Sequence, residues 1–134
     1  LPEMPWILNA GDEGLLANLR RLTPDQAQRT PIEGRASIAG HANHVLFHLG
    51  LLNRAMKGEN SFAGADWKGS WIVGEIDAKA WREMIDGIER AADEYRSHLS
   101  EPFEYDPIAL TGSLASVVHL GYHFGAIRQL MGLV

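Results

Sequence analysis

The chain has six histidines in 134 residues, and five of them fall in two short stretches. "HANHVLFH" holds His41, His44 and His48, and "HLGYHFG" holds His119 and His123. Spacings of three and four residues put side chains on one face of a helix, with Cβ atoms ~6 Å apart. Two imidazoles so placed can share one ion at ~2.0–2.1 Å each. There is no Cys, so disulfides, thiolate nucleophiles and Cys-ligated zinc are excluded, and any metal must take nitrogen or oxygen ligands. Histidines four apart also arise as solvated or hydrogen-bonded groups, so residue types and spacing leave two readings open, a metal site or a polar cluster. Several imidazoles buried without partners are costly, whereas one ion satisfies them together. His41, His44 and His48 are spread along ~10 Å of helix axis and cannot all converge on one ion. Which of them would join His119 and His123 is undecided on these grounds. His98 has an ordinary role, as a cation near a helix C-terminus.

Four segments with helical periodicity must position these rings, and none alternates as a strand would. The first spans about Trp6 to Leu22, with Leu15, Leu16, Leu19 and Leu22 as its apolar stripe; Gly11 and Gly14 weaken its first half. Thr23 and Pro24 then cap a short turn. The second helix starts from a Ser37 cap and ends at Lys57, with Gly58 after it. The third runs from an Asp77 cap to about Leu99, carrying Trp81, Met84, Ile85, Ile88, Ala92 and Tyr95 in register. The fourth spans about Gly112 to Met131 and is apolar nearly all round, as suits a buried helix or an interface. Gly121 and Gly125 on it suggest close packing of a neighbouring helix. Helices of this length pack as a four-helix bundle. The connection from Gly58 to Ile76 is about 19 residues, long enough to cross the bundle and give an up-down-down-up order. Its Trp67 and Trp71 read first as anchors for the crossover and second as pocket walls.

One domain accommodates this length, and 46% hydrophobic with 22% charged residues suits a globular protein. A net charge of −5 with no basic block argues against nucleic-acid binding. No apolar run reaches the ~20 residues of a membrane span, and no signal peptide is visible, so the default expectation is cytoplasmic.

Three motifs resemble the DinB/YfiT-like family of small bacterial four-helix-bundle proteins, over almost the whole chain. In "RASIAGHANHVLFHLGLLNRAMKGEN" a Ser-Ile start, Ser37 and Ile38, precedes a His by six positions, at His44, and Gly58 follows fourteen residues later. "ADWKGSW" resembles the family's Asp-Trp crossover, and "VVHLGYHFGAIRQL" its final-helix motif. Ala126 stands where the family usually has Gln. The resemblance implies a three-histidine metal site of His44, His119 and His123, holding zinc or nickel; Ala126 is not at a ligand position, so this assignment stands, but any supporting or substrate role of the family's Gln does not carry over.

A site of three neutral ligands leaves a position for water or substrate. The family resemblance implies a metal-dependent hydrolase, or a transferase using a low-molecular-weight thiol, which a Cys-free chain would take as cosubstrate. No general base stands out. His41 and His48 are candidates for supporting a ligand or shuttling a proton but read mainly as packing or solvated groups, and Glu75, Asp77 and Asp66 could point toward the site but read mainly as caps or surface charges. The competing class is a non-catalytic metal-binding bundle that dimerises or binds a partner, and the apolar fourth helix fits a homodimer.

Overall fold

The structure is a computed structural model that describes residues 11–102 and 107–134. All of its regular structure is helical: α1 (Leu15–Arg20), α2 (Pro24–Gln28), α3 (Ile38–Met56), α4 (Ala78–Ser100) and α5 (Pro107–Met131), with a 3₁₀ turn at Gly69–Trp71. No strand occurs among the described residues. None of the helices is long and apolar enough to cross a membrane.

Local chemistry explains most boundaries. Thr23 forms a reciprocal capping box with Gln26, and Pro24 occupies the first turn of α2. Ser37 accepts the Gly40 N–H at 3.0 Å to open α3, and Asp77 accepts the Ala80 N–H at 2.8 Å to open α4. Gly58, at φ +88°, ends α3 in the left-handed conformation that glycine adopts without a Cβ penalty. Two boundaries differ from expectation. α1 begins only at Leu15, because Gly11 and Gly14 do not sustain a helix; the predicted segment before Gly11 lies outside the described residues. α5 begins at Pro107 rather than Gly112, since proline is suited to a first turn and Gly112 is tolerated inside a long helix.

Helix α3 is the hub, packing against α2, α4, α5 and the 3₁₀ turn, while α1 packs on α4. The core joins Leu19, Ile38, Val45, Leu49, Ile85, Ile88 and Ile127, all at most 2% exposed. Trp81 closes it near α1, its indole N–H donating to the Leu22 carbonyl at 3.0 Å. The crossover is held at both ends. The Ser61 hydroxyl donates to the Leu51 carbonyl at 2.6 Å, and the Gln28 amide exchanges two 2.9 Å bonds with the Ile76 backbone. Between them, the Asn43 amide donates to the Ser70 carbonyl at 2.7 Å. Gly40 allows this approach, because a Cβ there would lie 3.3 Å from the Trp71 carbonyl oxygen. The crossover thus lies down on α3 beside the histidines.

Candidate metal centre

One face of α3 presents His41, His44 and His48 inward, all of them at least nine-tenths buried. Buried His123 and half-buried His119 face them from α5. His44, His119 and His123 each offer a ring nitrogen, and these three atoms lie within 4.8 Å of one another, so the group could hold a metal ion. His44 Nε2 is 3.2 Å from His119 Nε2, and His123 Nε2 is 3.1 Å from the same atom. Two nitrogens at ~2.05 Å from one zinc-like ion in tetrahedral array are ~3.3 Å apart, so the spacing fits shared coordination.

The outward nitrogen of His44 fixes which way its lone pair points. The Ser70 hydroxyl donates to the Trp67 carbonyl at 2.6 Å, and its oxygen is also 2.6 Å from His44 Nδ1. A hydroxyl has one proton, so Ser70 must accept there and His44 must carry its proton on Nδ1. His44 Nε2 is then a bare acceptor aimed at the cluster. His123 Nδ1 lies 2.9 Å from His41 Nδ1, so that a proton on His123 Nδ1 leaves its Nε2 bare as well. Metal-bound histidines commonly donate their other N–H to such an oriented acceptor. His119 differs, for its Nδ1 is buried and has no partner among the described residues.

Burial also sets the charge state. Desolvation, helped by the His119 and His41 imidazoles, lowers His44 to about 4. The same causes, with His44 and His48 added, lower His123 to about 3. Desolvation and then His119 and His44 bring His48 to about 4, and desolvation lowers His41 and His119. Neutral imidazoles are the form that ligates a cation.

Aromatic rings of the crossover wall the cluster. Trp71 stacks on His44 with centroids 4.2 Å apart and planes 20° apart, and meets His41 edge-on at 5.1 Å. Trp67 lies 5.9 Å from His44 and 6.1 Å from His48. Both tryptophans therefore anchor the crossover and also wall the site, where the sequence favoured anchoring alone.

Two further expectations change. His41 and His48 are packed inside rather than solvated: His41 Nδ1 contacts His123 Nδ1, and the His48 ring packs on the His119 ring with centroids 4.2 Å apart. No described residue packs closely at Gly121 or Gly125, where a Cβ would meet nothing within 4 Å. The acidic candidates stand apart, as surface charge or caps. Asp77 caps α4, the Asp66 carboxylate accepts the Gly69 N–H at 2.9 Å, and Glu75 is exposed. His98 sits in the last turn of α4, 3.6 Å from the Glu94 carboxylate. Ser70 was not visible as a site residue in sequence, because a lone serine in a non-periodic loop has no register to place it opposite His44.

Comparison with protein-family models, with curated proteins and with solved structures finds no match for this chain. The site must therefore be read from its own geometry.

Proposed function

We propose that the chain is a metal-dependent enzyme on a DinB/YfiT-like four-helix bundle, holding its ion through Nε2 of His44, His119 and His123. The observation that carries this reading is the convergence of three imidazole Nε2 atoms, 3.1–3.2 Å from His44 to His119 and from His119 to His123, with His44 oriented by Ser70. Imidazole donors suit zinc, nickel, copper and iron alike, and of these zinc or nickel is the ion we propose. Bound there with a coordination position free, such an ion would polarise a carbonyl or lower the pKa of a water or thiol. The chain's own residues would orient the ligands, keep them neutral and wall the site with Trp67 and Trp71. The reaction classes that fit are hydrolysis of a small molecule and transfer to a low-molecular-weight thiol brought in as cosubstrate. The net charge of −5 disfavours a nucleic-acid substrate.

Metal analysis of the purified chain, combined with turnover of small esters, amides and electrophiles with and without added thiol, tests the proposal. Stoichiometric zinc or nickel with turnover that disappears on chelation supports it. Stoichiometric metal whose removal lowers stability, with no turnover of any of these substrates, would favour a non-catalytic metal-binding bundle.

A homodimer is a second reading with its own observation. Leu114, Val117, Val118 and Tyr122 on α5 are 54–72% exposed, an apolar surface that a second copy could cover. Sedimentation of the full chain distinguishes a dimer from a monomer.

A further inference from the structure

A chamber of about 670 Å³ opens beside the histidine cluster, within the ~300–1,000 Å³ range of small-molecule sites. Leu52 and Met56 of α3, Trp67 of the crossover, Tyr95 of α4 and Ile108 of α5 give it a largely apolar wall. Its polar groups are few. The Ser116 hydroxyl donates to the Gly112 carbonyl at 2.8 Å and is turned back onto its own helix. His48 and His119, adjacent rings with centroids 4.2 Å apart, both line the chamber.

These two rings carry unsatisfied hydrogen-bonding capacity. His48 is 6% exposed, and neither of its ring nitrogens has a partner among the described residues; His119 Nδ1 is in the same state. Buried polar atoms in folded proteins almost always have partners, and orphans call for an explanation. The three orphaned nitrogens are buried within two adjacent rings of the chamber wall; a ring turned outward would offer one of them to a ligand that is apolar over most of its surface and polar at one end.

We propose that the chamber binds a small molecule with an aliphatic or aromatic body and a single carbonyl-type head group. The body lies against Leu52, Met56, Tyr95 and Ile108, and the His48 ring turns to donate a hydrogen bond to the head oxygen, beside His119. What would happen to the head group rests on the metal-dependent reading above, but binding itself does not require the ion. The inference gives the proposed enzyme an apolar substrate class and makes His48 a binding residue rather than a ligand.

Calorimetric titration of the full chain with butanamide, hexanamide and octanamide, metal-free and zinc-loaded, tests it. Affinity is expected to rise about four-fold per added methylene, the factor for burying each CH₂ group. Ser113→Phe and Ala55→Phe, which fill the chamber from α5 and α3, are expected to weaken octanamide at least ten-fold with zinc content unchanged. His48→Leu is expected to weaken it about five- to ten-fold, the loss of one hydrogen bond, while preserving the chain-length dependence. Zinc retained with no chain-length dependence in the unmutated chain overturns the chamber proposal and leaves the metal centre standing. Chain-length dependence without zinc uptake does the reverse. If octanamide binds no better than butanamide and Ser113→Phe changes the sedimentation of the protein, the cleft belongs to a second copy of the chain and the proposal falls.

Discussion

Helices α4 and α5 are similar in length, 23 and 25 residues, yet they relate to the rest of the molecule in opposite ways. α4 is an amphipathic surface helix. Trp81, Ile85, Ile88 and Tyr95 make one buried stripe, and its outer face carries ion pairs such as Lys57–Glu94 and Arg20–Asp86. α5 is apolar around its circumference but buries only Ser116, His123, Ile127 and Leu130. Its C-terminal part joins the core, while Ile108, Leu114 and Val118 remain 60–83% exposed. A helix made for packing alone needs one apolar stripe. α5 has more apolar surface than its neighbours cover, and two of the three metal-ligand candidates and one side of the chamber wall lie along it. α4 is thus covered as a packing helix is, whereas α5 combines core residues with candidate ligands and an uncovered apolar face.

Substitutions can break or sharpen that division. The largest effect on stability is expected on α4: Trp81→Ala should cost about 3–5 kcal/mol in denaturant unfolding, as large-to-small changes in cores do. On α5, His123→Ala should instead abolish stoichiometric metal binding, read by metal analysis, and His119→Ala and His44→Ala should match it. Any of the three retaining a full equivalent of metal would remove that residue from the site. Ser70→Ala should weaken metal affinity about 10–100-fold by releasing the His44 ring, and His41→Phe should do the same through His123. An unchanged affinity in both would show that the tautomers are not set by these partners.

Acid is a further probe of the cluster. In the metal-free protein, burial holds His44 and His48 near 4 and His123 near 3, against 6.5 in an exposed chain. The unfolded state therefore takes up protons below pH 6.5 that the folded state refuses until about pH 4 and then 3. Stability from the neutral histidines is fully present above pH 6.5 and is lost as pH falls through that window. Denaturant midpoints measured from pH 7 to 3 should decline across it, and a flat profile down to pH 4 would mean that the rings are hydrated. The smallest effect should come from the outer face of α5. Val118→Ala should change monomer stability by less than about 0.5 kcal/mol, so a larger loss that depends on protein concentration would reveal an interface.

Helix boundaries and the ligand register differ in how legible they were from sequence. Ser37, Thr23, Asp77 and Gly58 announce their roles because capping is local chemistry, readable from a few neighbouring residues. The helical period of α4 likewise places Ile85 and Ile88 inside. The i,i+4 pair His119 and His123 was visible as a unit, but spacing could not select His44 over His41 or His48. That selection depends on which ring meets α5 and which meets Ser70, a tertiary fact. His41 and His48 were read as bland for the same reason: one contacts a residue 82 positions away, and the other faces a chamber built from three helices and a loop. Gly121 and Gly125 misled in the opposite direction, since small residues permit a close approach without requiring one.

The most direct test is a crystal structure of the zinc- or nickel-loaded chain with data collected on both sides of the metal absorption edge. The expected result is one anomalous peak about 2.0–2.1 Å from Nε2 of His44, His119 and His123, with Nδ1 of His44 still against Ser70 and His48 outside the coordination sphere. A peak bound through Nδ1, a peak centred on His41 or His48, or full metal loading with no ion among these rings would contradict it.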